Sequence, residues 1–254
     1  MDSELIRYLI VCPLVFLAGF VDAMAGGGGF ISLPGYLLTG MPVHLAIGTN
    51  KLSSSMGTTL ATWRLARNGF IPWKQALFAV ISALIGSQMG AYIALLIDAH
   101  IFKILMLVII PLTSWYVFRS HSLGATEETS GKVVNHKNLI CMAIGLVMGI
   151  YDGFYGPGTG TFMLLAFMGL ANMNIKEANG ITKAANLTTN FGALYVFLTH
   201  GTVDLMLGLT AGLFSIAGNY LGTRQFIGKQ SFSVRPIILL VLTIFFVKTL
   251  MELI

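Results

Sequence analysis

Gly19-Phe20-Val21-Asp22-Ala23-Met24-Ala25-Gly26-Gly27-Gly28-Gly29 closes one apolar run of this chain. Gly149-Ile150-Tyr151-Asp152-Gly153-Phe154-Tyr155-Gly156-Pro157-Gly158-Thr159-Gly160 closes another. Gly19, Asp22, Gly26 and Gly28 match Gly149, Asp152, Gly156 and Gly158 at a constant offset of 130 residues. Downstream, Ala46, Gly48, Lys51, Gly69, Gly86 and Gly90 match Ala178, Gly180, Lys183, Gly201, Gly218 and Gly222 at an offset of 132. Glycine abundance alone does not put two aspartates and two lysines into the same register. One unit has been used twice, and the fold must be read as a duplication.

The composition says where such a unit lives. Of 254 residues, 56% are hydrophobic and 10% are charged, whereas a soluble domain carries about 25% charged residues. Each unit resolves into five apolar segments: 5–25, 28–40, 44–63, 71–97 and 101–118, then 138–155, 158–170, 176–198, 203–223 and 233–251. The polar linker 119–137, with Arg119, Glu127, Glu128, Lys132 and Lys137, separates repeat one (5–118) from repeat two (138–254). The expected fold is therefore an all-α polytopic membrane protein, one membrane domain over 1–254. The second segment of each unit is short: about 13 residues reach ~20 Å at helical rise, against a hydrocarbon core of ~30 Å. It reads as a broken or half-helix. Arg7, the apolar run from Tyr8 to Phe20 and Ala23-Met24-Ala25 imitate a signal peptide, but recurrence of the segment at mid-chain argues against cleavage.

Basic residues set the expected orientation. With the N-terminus outside and every segment crossing, Arg64, Arg67, Lys74, Arg119, Lys132, Lys137, Lys176, Arg224, Lys229 and Arg235 fall inside, and Arg7, Lys103 and Lys248 fall outside. Equivalent loops carry opposite bias: Arg64, Arg67 and Lys74 follow the third segment of the first unit, His200 and Asp204 that of the second. The units are thus expected to be inverted repeats, with both termini periplasmic. The net charge of +5 is explained by this loop asymmetry, and the scattered cations form no nucleic-acid surface. Cys12 and Cys141 read as small hydrophobes, and Trp63, Trp73 and Trp115 as interfacial anchors.

Inverted repeats with paired broken helices build secondary transporters, whose sites lie at the discontinuous segments. Helix starts there offer free N–H groups and a dipole that favours negative charge. The glycines Gly26, Gly27, Gly28 and Gly29, with Gly156, Gly158 and Gly160 beside Thr159, either admit a ligand to the backbone or serve close packing. Lys51 and Lys183 stand about seven residues into the third segments, where a lysine costs about 2.5–3.5 kcal/mol on insertion scales. Each continues a polar stripe, Lys51, Ser54, Ser55 and Thr58 in one unit and Lys183, Asn186 and Asn190 in the other, and Asn50 and Thr182 beside the lysines join the candidate site. Two cationic heads facing two helix starts describe an anion cradle; snorkelling or ion pairing is the plainer alternative. Asp22 and Asp152 are open to three roles: pairing with the lysines, capping the broken helices, or carrying a coupling proton. Pairing would leave the empty site near neutral. No nucleophile–base or metal-ligand constellation stands out, so neither an enzyme nor a cofactor is expected. The expected partners are a small anionic solute and the lipid bilayer, with a homodimer admitted and oligomeric state open. An alternating-access carrier is the first reading and an anion channel lined by the half-helices the second.

The run Ala25–Gly29 leading to Pro34, and Ile47-Gly48-Thr49-Asn50-Lys51-Leu52, resemble the sulfite exporter TauE/SafE family. Thr182-Lys183 with Asn186 and Asn190, and Val234-Arg235-Pro236, are similar to its bacterial members. The resemblance spans essentially the whole chain and implies a bacterial inner-membrane permease for sulfite, sulfonates or other small organic anions. One departure stands out: the second glycine motif has Pro157 and Thr159 and carries Leu164 where the family repeats a proline. The two halves of the site are therefore expected to hold different parts of one ligand.

Overall fold

A computed structural model describes residues 3–98, 100–102, 104, 105, 134–228, 243 and 251. Among them the chain forms no strand, and eight helices have both ends described: α1 (Ser3–Ala25), α2 (Gly29–Leu37), α3 (Val43–Arg67), α4 (Trp73–Leu96), α5 (Lys137–Phe154), α6 (Thr159–Gly169), α7 (Ile175–Thr199) and α8 (Leu205–Ile227). The fifth segments, 101–118 beyond residue 105 and 233–251 apart from 243 and 251, lie outside the described residues, as do linker positions 119–133 and Trp115.

The two sets of four correspond element by element, down to their boundaries. Pro42 and Asn174 precede α3 and α7; Pro72 and Asp204 precede α4 and α8. Proline stops the preceding chain and has no N–H to leave unpaired. Asn174 reaches the same end by accepting from the N–H groups of Lys176 and Glu177, and Asp204 by accepting from Leu207. Gly69 and Gly201 turn the chain after α3 and α7 with φ of 71° and 67°. Gly40, at φ 76°, has as its counterpart Asn172 at 48°, asparagine being a side chain that tolerates left-handed backbone.

The halves are interleaved rather than set side by side. Helix α1 packs on α8 and α4 on α5, while α3 contacts α8 and α4 contacts α7, so the major seams join helices α1–α4 to helices α5–α8. Glycine makes these seams close. A methyl group at Gly218 or Gly222 would collide with the carbonyls of Phe16 or Phe20, and one at Gly86 or Gly90 with those of Leu146 or Ile150. Without a hydrophobic force between helices in lipid, such backbone proximity is what supplies contact. The pairing 16 with 218 and 20 with 222 makes α1 and α8 parallel. Helices α3 and α7 run antiparallel: Gly48 lies against Phe197, and Thr62 Oγ1 donates to the Lys183 carbonyl at 3.1 Å.

Polarity is arranged inside out. Leu77, Ile81, Leu84, Ile85, Tyr92, Ile93 and Leu96 form an exposed stripe along α4, while lysines, asparagines and serines of α3 and α7 are buried. Among the described residues, four helices are long and apolar enough to cross a membrane: Glu4–Ala25 of α1, and α4, α5 and α8. Helices α3 and α7 match them in length, at 25 residues each, but carry the polar stripes. Helices α2 and α6, at 9 and 11 residues, rise only about 14 and 17 Å. They are shorter than the 13 residues read from sequence because Gly40 and Leu170 belong to turns. The chain is a multi-pass helical membrane protein. Trp63 and Trp73 lie exposed at the end of α3 and the start of α4, with Arg67 stacked over the Trp63 ring at 4.9 Å.

Candidate functional site

The connections α1–α2 and α5–α6 meet at the centre of the bundle, backbone against backbone. Gly26 and Gly156 break the long helices with φ of 76° and 97°, values that cost an L side chain roughly 1–2 kcal/mol. Gly26 lies directly on Gly160, and a methyl at Gly29 would stand 2.9 Å from Pro157 Cα. Thr161 Oγ1 donates across the junction to the Ala25 carbonyl at 3.0 Å. The glycine runs therefore do serve close packing, the plainer of the two readings, and several also border open space. The second turn is held by side chains: Tyr151 Oη donates to the Pro157 carbonyl at 2.8 Å and Thr159 Oγ1 to that of Gly156 at 2.7 Å. Gly158 is left-handed at φ 84°, whereas its counterpart Gly28 is helical at −58°. The departure at Pro157 and Thr159 thus corresponds to a real difference in backbone.

The buried charges pair between the two sets of four helices. Lys51 Nζ on α3 donates to Asp152 Oδ2 on α5 at 2.7 Å, and Lys183 Nζ on α7 to Asp22 Oδ2 on α1 at 2.6 Å. Of the three roles open to the aspartates, pairing is the one seen. The cradle of two free cationic heads is corrected accordingly: each head is spent on a carboxylate, and the four formal charges cancel. Burial is the reason, since an ammonium or carboxylate in low dielectric needs a partner within hydrogen-bonding distance. The two pairs differ in access. Lys51 and Asp152 are 2% and 4% exposed, whereas Lys183 is sealed at 0% and Asp22 keeps 15%.

A cavity of about 30 Å³ adjoins these groups, room for a few water molecules. Of the residues expected from sequence, Asp22, Gly26, Gly28, Gly29, Asn50, Lys51, Ser54, Asp152, Gly156, Gly160, Asn186 and Asn190 line it. Gly27, Ser55, Gly158, Thr159, Thr182 and Lys183 do not: Gly158 packs on the Phe30 ring, Ser55 Oγ donates to the Leu52 carbonyl, and Lys183 lies behind Asp22. Lys51 reaches the wall beside the turn, its Nζ 3.2 Å from where a Gly156 side chain would begin. Asn190 Nδ2 donates to Asn186 Oδ1 at 2.9 Å, and Ser54 Oγ to Asn50 Oδ1 at 3.4 Å. The structure adds lining residues that the sequence reading did not select, Ser32, Ser215 and Asn219. The pair Ser215 and Asn219 carried a readable signal, polar residues four apart in the apolar segment 203–223. Among the described residues no group of three His, Cys, Asp or Glu side chains clusters to hold a metal.

A lipid-facing exterior around a polar, charge-compensated interior at paired helix breaks defines the class: helical membrane transporters. The chain belongs to the sulfite exporter TauE/SafE family, whose model matches residues 11–249. It is 32% identical to the "Probable membrane transporter protein ORF9" of Sinorhizobium sp, over 94% of this chain and 89% of the relative. A "Probable membrane transporter protein" of Haemophilus influenzae is also 32% identical, over 94% of this chain and 93% of the relative. The "Probable membrane transporter protein YfcA" of Escherichia coli strain K12 is 29% identical, over 94% and 88%. No solved structure matches the chain.

Proposed function

We propose that this protein is an alternating-access carrier of a small anion, of the sulfite or sulfonate class, in the bacterial inner membrane. The two halves are inverted repeats, α1 begins on the periplasmic side, and the solute occupies the cavity at their junction. The observation that carries the reading is Lys51: a buried ammonium at the cavity wall, beside a left-handed glycine turn and across from the start of α2. Because Asp152 neutralises it, attraction for an anion must come from elsewhere as well. The N-terminus of α2 supplies a partial positive charge through Gly28 and Gly29. Asn50, Asn186, Asn190 and Ser54 supply neutral polar groups. An incoming oxyanion shares Lys51 with Asp152, and the rearrangement of that pair gives the solute a grip on both repeats at once.

Uptake into proteoliposomes, screened with sulfite, thiosulfate, alkanesulfonates and short carboxylates, tests the proposal. Saturable flux with counterflow exchange, lost in Lys51→Gln, is the expected result. Full-rate anion transport by a folded Lys51→Gln variant would remove Lys51 from the site, and transport of cations or neutral solutes alone would remove the anion.

A further inference from the structure

Asn219, on α8, is 2% exposed and lines the cavity. Its Nδ2 donates to the Ser215 carbonyl at 3.0 Å and lies 3.5 Å from Ser215 Oγ. Its Oδ1 has no hydrogen-bond partner among the described residues. The amide cannot be turned over to relieve this, since the flip would set Oδ1 against the Ser215 carbonyl, two acceptors face to face. Space for the amide is built in by neighbours: a side chain at Gly57 would collide with it, and a methyl at Gly19 would stand 2.8 Å from Nδ2. A buried acceptor without a donor is costly, so the cavity carries a demand for an N–H or O–H group. The same cavity is bordered by Asp22, also an acceptor and the more exposed of the two paired carboxylates. Asp22 has its counterpart in Asp152, which borders the same cavity but is only 4% exposed; Asn219 has no such counterpart. Ser87 stands where duplication would place a second Asn219, and its Oγ donates to the Leu84 carbonyl.

We propose that Asn219 Oδ1, with the Asp22 carboxylate, forms a hydrogen-bond-accepting end of the cavity that selects small anions bearing an N–H or O–H group. This rests on the anion reading above and sharpens it. The negative group sits toward Lys51 and the start of α2. The donor group lies at α8, where it satisfies Asn219. A fully deprotonated or alkyl anion of the same size leaves Oδ1 unpaired and is discriminated against.

The test is competition against uptake in proteoliposomes with two matched series: ethanesulfonate, 2-hydroxyethanesulfonate and 2-aminoethanesulfonate, then propionate, 3-hydroxypropionate and 3-aminopropionate. In the unaltered protein the donor-bearing members of at least one series compete about tenfold better than the alkyl member. In Asn219→Leu that ratio falls to within about twofold; Asn219→Ala replaces it should the leucine fail to fold. Competition by all members without a preference, or a preference that survives both substitutions, overturns the assignment and leaves the anion reading standing. Competition by no member of either series, in protein that melts cooperatively, overturns both.

Discussion

Lys51 and Asp152 tolerate burial only together. Removing one member of a buried pair strands the other, at about 3–5 kcal/mol. Lys51→Ala is therefore expected to lower the melting temperature of the detergent-solubilised protein by on the order of 10 °C. Lys51→Ala combined with Asp152→Ala should regain most of that loss while remaining inactive. The second pair predicts a gentler outcome. Lys183→Ala strands Asp22, which at 15% exposure borders the cavity and can be hydrated there. Its melting temperature should fall less than that of Lys51→Ala. Equal losses would mean that the difference in access has no energetic weight. Backbone gives a matching contrast. Gly26 and Gly40 share φ 76°, but Gly26 abuts Gly160 whereas nothing lies within 4 Å of a methyl at Gly40. Gly40→Ala should cost about 1–2 kcal/mol from φ alone, and Gly26→Ala should cost more and abolish transport, as melting and uptake measured on both variants will show.

At the level of elements, the seams α1·α8 and α4·α5 are the same device used twice. Gly90 against Ile150 and Gly222 against Phe20 are equivalent contacts, so their substitutions should behave alike. Gly90→Leu and Gly222→Leu are each expected to push the helices apart and to leave little folded protein in the membrane, read as monodisperse yield in detergent. A large loss from one and none from the other would show that the seams do not share their load. These contacts explain which parts of the fold were legible in the sequence. Glycine at backbone contacts and aspartate and lysine at buried charges share one register in the sequence, and it is that register that points to a repeat. Which aspartate meets which lysine was not legible. Within each unit Asp22 precedes Lys51 and Asp152 precedes Lys183, but interleaving of the halves crosses the pairs, a fact of packing rather than of spacing. Asn219 escaped for a related reason: its counterpart is Ser87, so a search for identical residues passes over it. The very asymmetry that hid Asn219 is what gives the cavity two unlike ends.

For the whole molecule, the direction of the helices sets the strongest test of the proposed membrane arrangement. Helices α3 and α7 run antiparallel, as their contacts at Gly48 with Phe197 and Thr62 with Lys183 require. Their C-terminal turns, 68–72 and 200–204, therefore point in opposite directions. Asn68 and His200 are equivalent under the duplication and both are exposed. Each hydrogen-bonds back to the carbonyl four residues earlier, Asn68 Nδ2 donating to Arg64 and His200 Nδ1 contacting Val196. The charges differ: Arg64, Arg67 and Lys74 flank the first turn, while Asp204 adjoins the second. The cytoplasmic leaflet side retains the cations, so the proposed arrangement expects Asn68 in the cytoplasm and His200 in the periplasm. Native Cys12 and Cys141 are buried, which keeps background labelling low. In intact cells an impermeant maleimide should label His200→Cys and spare Asn68→Cys, and lysis should make both reactive. Labelling of both from outside would break the inverted arrangement, and with it the proposal that the two helix breaks approach one solute from opposite faces of the membrane.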